Sequence, residues 1–118
     1  MRRVVVTGVG LVSSLGTGVE KTWEALLKGE TGIKLIESFD TEDLAVKMAG
    51  VVDDFNPEDF GIDKKELKKL ARFSQFGIAA SKMALDDSGL IIDENNAERI
   101  GVIVSSGIGG LDVFEEQH

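Results

Sequence analysis

Two glycine-rich segments and one lysine cluster hold the residues of this chain whose spacing suggests chemistry. Gly8-x-Gly10-x-x-Ser13 follows the β-branched run Arg3–Thr7. It is similar to the fingerprint that sets a pyrophosphate on a helix N-terminus. That motif starts its helix among the glycines, whereas here Thr17-x-x-Glu20 reads as a capping box and predicts a start near Thr17. Ser13 stands where Gly or Ala is usual, and no acidic residue ends a strand about twenty residues on. A strand-to-helix connection with tight glycine turns accounts for the segment, and dinucleotide binding is the alternative. Gly107-Ile108-Gly109-Gly110 leaves a second apolar run, Ile100–Ser105. With no Lys-Ser/Thr after it, it is not a P-loop. It reads as a strand exit where backbone passes close to something else, with a binding role as the alternative.

The third cluster is basic. Lys64, Lys65, Lys68, Lys69 and Arg72 share one face of a helix, although the chain carries a net charge of −8. Such a face is either solvated or a docking patch for an acidic partner, steered by complementary charge.

Absences narrow the chemistry further. There is no Cys and no Tyr, and the one histidine, His118, is the last residue. A thiol nucleophile, a Cys/His metal site and a Ser-His-Asp relay are excluded within these residues. The carboxylates Asp40, Glu42, Asp43, Asp53, Asp54, Glu58 and Asp59 lie in polar, turn-like stretches and read as solvated surface. The acidic balance opposes nucleic-acid binding. No apolar run reaches the ~20 residues that span a bilayer, and the apolar part of the N-terminus is too short for a signal peptide. A cytoplasmic location is expected, with no metal site.

These residues must be positioned by an α/β framework. Arg3–Thr7 and Ile100–Ser105 are predicted as strands buried on both faces. Val19, Trp23, Leu26 and Leu27 predict an amphipathic helix ended by Gly29. Val46–Val52 is an exposed strand that pairs with the Ile33–Ile36 region. Asp63 is expected to cap a short helix with Leu67, Leu70 and Ala71 inward. A longer helix over Arg72–Asp87, small or apolar almost all round at its centre, stops at Ser88-Gly89, and Leu111–Gln117 begins another. One domain of 118 residues with no internal boundary is expected. Two strong strands make a poor closed core, so the chain is expected to be part of something larger and not to fold as a stable monomer.

Three segments together resemble the N-terminal part of the β-ketoacyl-acyl-carrier-protein synthases, the condensing enzymes of fatty-acid synthesis. They are Arg3–Gly16 with its helix through Gly29–Ile33, Arg72–Gly77 through Asp87–Leu90, and Arg99–Leu111. Within that family the Gly107–Gly110 exit is similar to type II members, because type I members tend to carry glycine where Ile108 stands. The resemblance implies a thiolase-like layered α/β/α fold, incomplete in this chain, and a homodimeric parent. It also implies a decarboxylative Claisen condensation at a Cys and two histidines that lie beyond His118, so no catalytic residue is expected here. Ile108 is implied in the acyl pocket, and Lys65, Lys68 and Lys69 in docking acyl-carrier protein. Two other readings stand beside it: a nucleotide-binding α/β domain, and a non-catalytic subunit of the same fold such as a chain-length factor.

Overall fold

The computed structural model describes residues 1–118, apart from the side chains of Asp112 and Gln117. The chain forms two compact units, one of Leu11–Asn56 and one of Met1–Gly10 with Pro57–His118.

In the Leu11–Asn56 unit, β1 (Val12–Ser13) and β2 (Gly16–Thr17) form a tight antiparallel pair. α1 (Val19–Leu27) follows, and β3 (Ile33–Leu35) then pairs antiparallel with β4 (Met48–Gly50), Ile33 opposite Gly50. The pairing of these two weak segments agrees with the sequence expectation. α1 ends as its sequence dictates. Gly29 is left-handed at φ 69°, its N–H donates to Leu26 O, and the Glu30 N–H donates to Ala25 O. That is a Schellman closure, which satisfies two carbonyls the last turn would otherwise leave open.

The start of α1 corrects the capping-box reading. The N-cap is Gly18, with no side-chain cap. Thr17 lies in β2, and its N–H and hydroxyl are directed at the Asp54 carboxylate, 3.2 and 3.4 Å away. An ionised acceptor makes stronger hydrogen bonds than a neutral one, so the distant carboxylate wins over the local cap. The packed face of α1 also differs from expectation. Thr22 and Ala25 are buried, while Trp23 is 58% exposed and Leu26 and Leu27 are exposed. Thr22 is held by the turn beneath it, donating to Gly16 O at 3.0 Å and meeting Ser13 Oγ at 3.0 Å. Small residues allow that close approach.

In the second unit, a 3₁₀ turn at Pro57–Phe60 precedes α2 (Lys64–Leu67), α3 (Arg72–Ser88), a 3₁₀ turn at Ala97–Arg99 and α4 (Leu111–Gln117). α3 begins and ends where its sequence predicts, with Gly89 as the left-handed C-cap. Asp63 is the N-cap of α2 through its backbone, its carbonyl accepting from Glu66 and Leu67. Ile62, Ala71, Gln75 and Ala79 are buried, and Gln75 is satisfied by donating to Leu70 O at 2.9 Å.

Arg3–Thr7 and Ile100–Ser105 enter no ladder, contrary to the expectation of core strands. Val4 is 94% exposed and Ile103 96%. An apolar run of this kind becomes a strand only when neighbours supply hydrogen bonds at its edges and cover on both faces. Among the described residues the only ladders are the two short antiparallel pairs.

Candidate functional site

The basic cluster is split by the fold. α2 is a single turn, Lys68 is its C-cap, and Lys69 and Leu70 close on Glu66 O at 2.8 and 3.1 Å. The chain then turns extended at Ala71 before α3 begins at Arg72. Arg72 therefore starts a different helix and lies over the Phe76 ring, 4.9 Å from its centroid. Lys64 pairs with Glu58 at 3.2 Å. Lys65, Lys68 and Lys69 are exposed and form no salt bridge among the described residues. Of the five basic residues, these three carry charge directed at solvent without an acidic partner.

The first glycine motif has a packing role. A methyl group at Gly8 would fall 2.1 Å from the Ala84 carbonyl oxygen, and one at Gly10 would fall 1.9 Å from that of Ala80. The Val9 N–H donates to Asp87 Oδ2 at 2.8 Å. The segment thus crosses α3 backbone to backbone, and its glycines face helix rather than open space. Ser13, the third position of the motif, belongs to the other unit. There its hydroxyl accepts from Leu15 N–H and lies between Gly16 O and Thr22 Oγ1.

The second glycine motif lies against an aromatic ring. A methyl group at Gly109 would meet Phe73 Cδ1 at 2.8 Å, and one at Gly110 would meet Phe73 Cε1 at 3.1 Å. Gly110 is also left-handed, at φ 71°, and opens α4. The close passage expected of this loop is present, but residues 100–105 before it form no strand, so it is not a strand exit here. Ile108 projects from the loop and is 84% exposed. Two cavities flank Phe73. The larger, about 760 Å³, runs between α3 and the segment 102–106 and is bordered by Phe76, Ile78, Val102 and Val104. The smaller, about 530 Å³, is bordered by Lys69, Gly109, Phe114 and His118. Phe73 and Ser74 line both. Pattern reading did not single out Phe73, because no local spacing links an aromatic at the start of one helix to glycines before another.

Asp54, one of the carboxylates read as surface, is held by Thr17 and Lys21. The Lys21 ammonium hydrogen-bonded to it, with help from the Thr17 N–H, holds its carboxyl below the usual carboxylate range against a smaller opposing effect of burial. This ties the segment after β4 to β2 and the start of α1. Among the described residues, no group of three or more His, Asp or Glu is placed to hold a metal ion. No helix among them is long and apolar enough to cross a membrane.

Comparison with known proteins agrees with the resemblance read from the sequence. The family described as "Beta-ketoacyl synthase, N-terminal domain" matches residues 1–118. The 3-oxoacyl-[acyl-carrier-protein] synthase 2 of Vibrio harveyi is 51% identical over 117 residues, 99% of this chain and 28% of the relative. The protein of the same name from Staphylococcus aureus (strain COL) is 49% identical over the same share of each chain. A solved structure, the ishigamide ketosynthase/chain length factor, aligns with a TM-score of 0.68 at 43% identity, covering 76% of this chain and 22% of that one. The chain thus spans 28% of the length of the curated relatives it matches. It belongs to the β-ketoacyl synthase family, as the N-terminal domain.

Proposed function

We propose that residues 1–118 are the N-terminal part of a 3-oxoacyl-[acyl-carrier-protein] synthase of the second type, acting in fatty-acid synthesis. The observation that carries this reading is identity of 49–51% along almost the whole chain to relatives bearing that name. In the complete enzyme a Cys thiolate outside these residues attacks the acyl thioester of acyl-carrier protein. A carbon–sulfur bond to the enzyme forms, and the carrier leaves as its thiol. Malonyl-carrier protein then loses CO₂, and the electron pair of the broken carbon–carbon bond remains as an enolate. Two histidines, also outside these residues, stabilise the developing oxyanion. The enolate carbon attacks the acyl carbon and expels the Cys thiolate, giving the 3-oxoacyl product. Loss of CO₂ drives bond formation, so no organic cofactor is required.

Within this reading the chain contributes scaffold, pocket and docking surface. Lys65, Lys68 and Lys69 meet the acidic carrier protein, and their unpaired, exposed state supports that assignment. Ile108 lines the acyl channel in the complete enzyme. Its exposure here, on a loop whose backbone is held by Phe73, is compatible with a side chain that meets substrate rather than core. The parent has the layered thiolase-like α/β/α fold, forms a homodimer and works in the cytoplasm.

A second reading is favoured by the structural neighbour, the ishigamide ketosynthase/chain length factor. In that case the parent is a non-catalytic partner lacking the nucleophile. The test is to incubate the complete protein with acyl- and malonyl-carrier protein and look for 3-oxoacyl-carrier protein and released CO₂. Product formed by the protein alone supports the synthase. Product formed only with a second ketosynthase-like subunit supports the partner reading, and no product under either condition contradicts both.

A further inference from the structure

We propose that Phe73 is a positioning residue for the Gly107–Gly110 loop and, through it, a determinant of which acyl chains the parent enzyme accepts. The proposal rests on the synthase reading given above. Its physical basis is the contact between the Phe73 ring and the loop. At Gly109 even a methyl group would lie 2.8–2.9 Å from three ring carbons, Cδ1, Cε1 and Cγ. Carbon atoms in van der Waals contact stand about 3.5–4.0 Å apart, so the ring occupies the volume a side chain would need. Glycine at 109 and phenylalanine at 73 are thus one steric unit, with the ring replacing the missing side chain as the support of the backbone.

Two further observations give this contact a functional direction. Ile108 is the residue immediately before the supported glycine, so a shift of the backbone at Gly109 moves the Ile108 side chain with it. Phe73 is also a common wall of the cavities of about 760 and 530 Å³. It is 43% exposed, so no dense packing fixes the ring from every side. Rotation or truncation of the ring therefore changes both the support under the loop and the wall that the two cavities share.

The test uses the complete enzyme with Phe73→Leu, Phe73→Tyr, Gly109→Ala and the double variant Phe73→Leu/Gly109→Ala. Kinetics are measured over a series of short to long saturated acyl thioesters, and thermal unfolding is measured on the same samples. Phe73→Leu should change the ratio of long- to short-chain kcat/KM by about fivefold or more, while kcat with the best short substrate stays within about twofold. Phe73→Tyr, which keeps the ring, should retain the wild-type ratio. Gly109→Ala should lower Tm in the wild-type background, and most of that loss should be absent when residue 73 is Leu, because residues in contact are not additive. Equal losses of Tm in both backgrounds would overturn the contact whatever the activity. An active wild type whose Phe73→Leu variant loses rate uniformly at every chain length would overturn the specificity role alone. A complete protein with no condensation activity would overturn the synthase reading and the role in substrate choice with it.

Discussion

Gly10 lies across the backbone of Ala80, so that a methyl group on residue 10 would fall 1.9 Å from the Ala80 carbonyl oxygen and 2.7 Å from the Ala84 nitrogen. The neighbouring atoms are helix backbone, which cannot move aside without breaking α3. Overpacking in a core costs about 1–3 kcal/mol where side chains can shift. Gly10→Ala should therefore destabilise the complete enzyme by about 3 kcal/mol or more. The check is urea denaturation, where the midpoint should fall with the slope unchanged. A loss under about 1 kcal/mol would mean that the crossing is looser than these distances require.

Asp54 gives a pH-dependent expectation. Its carboxyl titrates lower in the folded chain than in the unfolded one, chiefly because of the hydrogen-bonded Lys21 and then the Thr17 N–H. The unfolded state therefore binds this proton more readily. The contribution is fully present above the unfolded carboxylate value of about 3.9 and is lost as pH falls through the lower folded value. The Asp54 side chain is 35% exposed and that of Lys21 60%, so solvent screens the pair and limits it to about 0.2–1 kcal/mol. Asp54→Asn should remove that amount near neutral pH and almost none at about pH 2. Equal destabilisation at both pH values would point to lost packing instead of lost charge.

What the sequence revealed and what it did not divide along one physical line. α3 was legible end to end because its signals are local: a run of residues small or apolar almost all round, then Ser88-Gly89. The β3–β4 pair was legible for the same reason, lying within one short stretch of chain. The capping box at Thr17 misled because its competitor, Asp54, is remote in sequence. Runs such as Arg3–Thr7 report that they want burial on both faces but not what covers them, and here they stay uncovered. The lysine face was right in composition and wrong in extent, since the extended Ala71 separates Lys69 from Arg72. Ile108 was singled out only through family likeness, and the approach of Phe73 to Gly109 beside it, remote in sequence, was not legible at all.

The exposed apolar runs bear on how residues 1–118 behave in isolation. The accessible surface of residues 1–118 is 9849 Å², whereas a folded monomer of 12.7 kDa exposes about 6,200 Å². Among the described residues the buried apolar side chains are Ala25, Phe55, Ile62, Ala71 and Ala79, only two of them large. Purified alone, this segment should run as oligomer, aggregate or molten species, binding a hydrophobic dye and lacking near-ultraviolet circular dichroism. A monomer with a sharp cooperative melt and dispersed amide signals would contradict this expectation.

Charge reversal tests the docking surface. Exposed charge pairs contribute about 0.2–1 kcal/mol each, so the effect of Lys65, Lys68 and Lys69 should be collective and weakened by salt. Changing all three to Glu in the complete enzyme should raise KM for acyl-carrier protein by about tenfold at low salt. Turnover of a small thioester without the carrier should barely change. Equal loss on both substrates would make the patch structural.

Ile108 is tested by size. Overpacking an acyl channel by a larger side chain costs roughly 1–3 kcal/mol, so Ile108→Phe should lower kcat/KM for long acyl substrates by about ten- to a hundredfold. Short substrates should be largely spared. Uniform loss, or loss that follows a falling Tm, would make Ile108 an ordinary packing residue.

The most direct measurement is the intact mass of the complete protein after exposure to acyl-carrier protein without malonyl substrate, followed by peptide mapping. Residues 1–118 contain no Cys, so the acyl group should appear once per chain on a cysteine outside them. Added malonyl-carrier protein should then discharge it as 3-oxoacyl product. A protein that gains no mass, or one whose label maps to a hydroxyl or amine within residues 1–118, would contradict the assignment of this chain as scaffold and pocket of a ketosynthase.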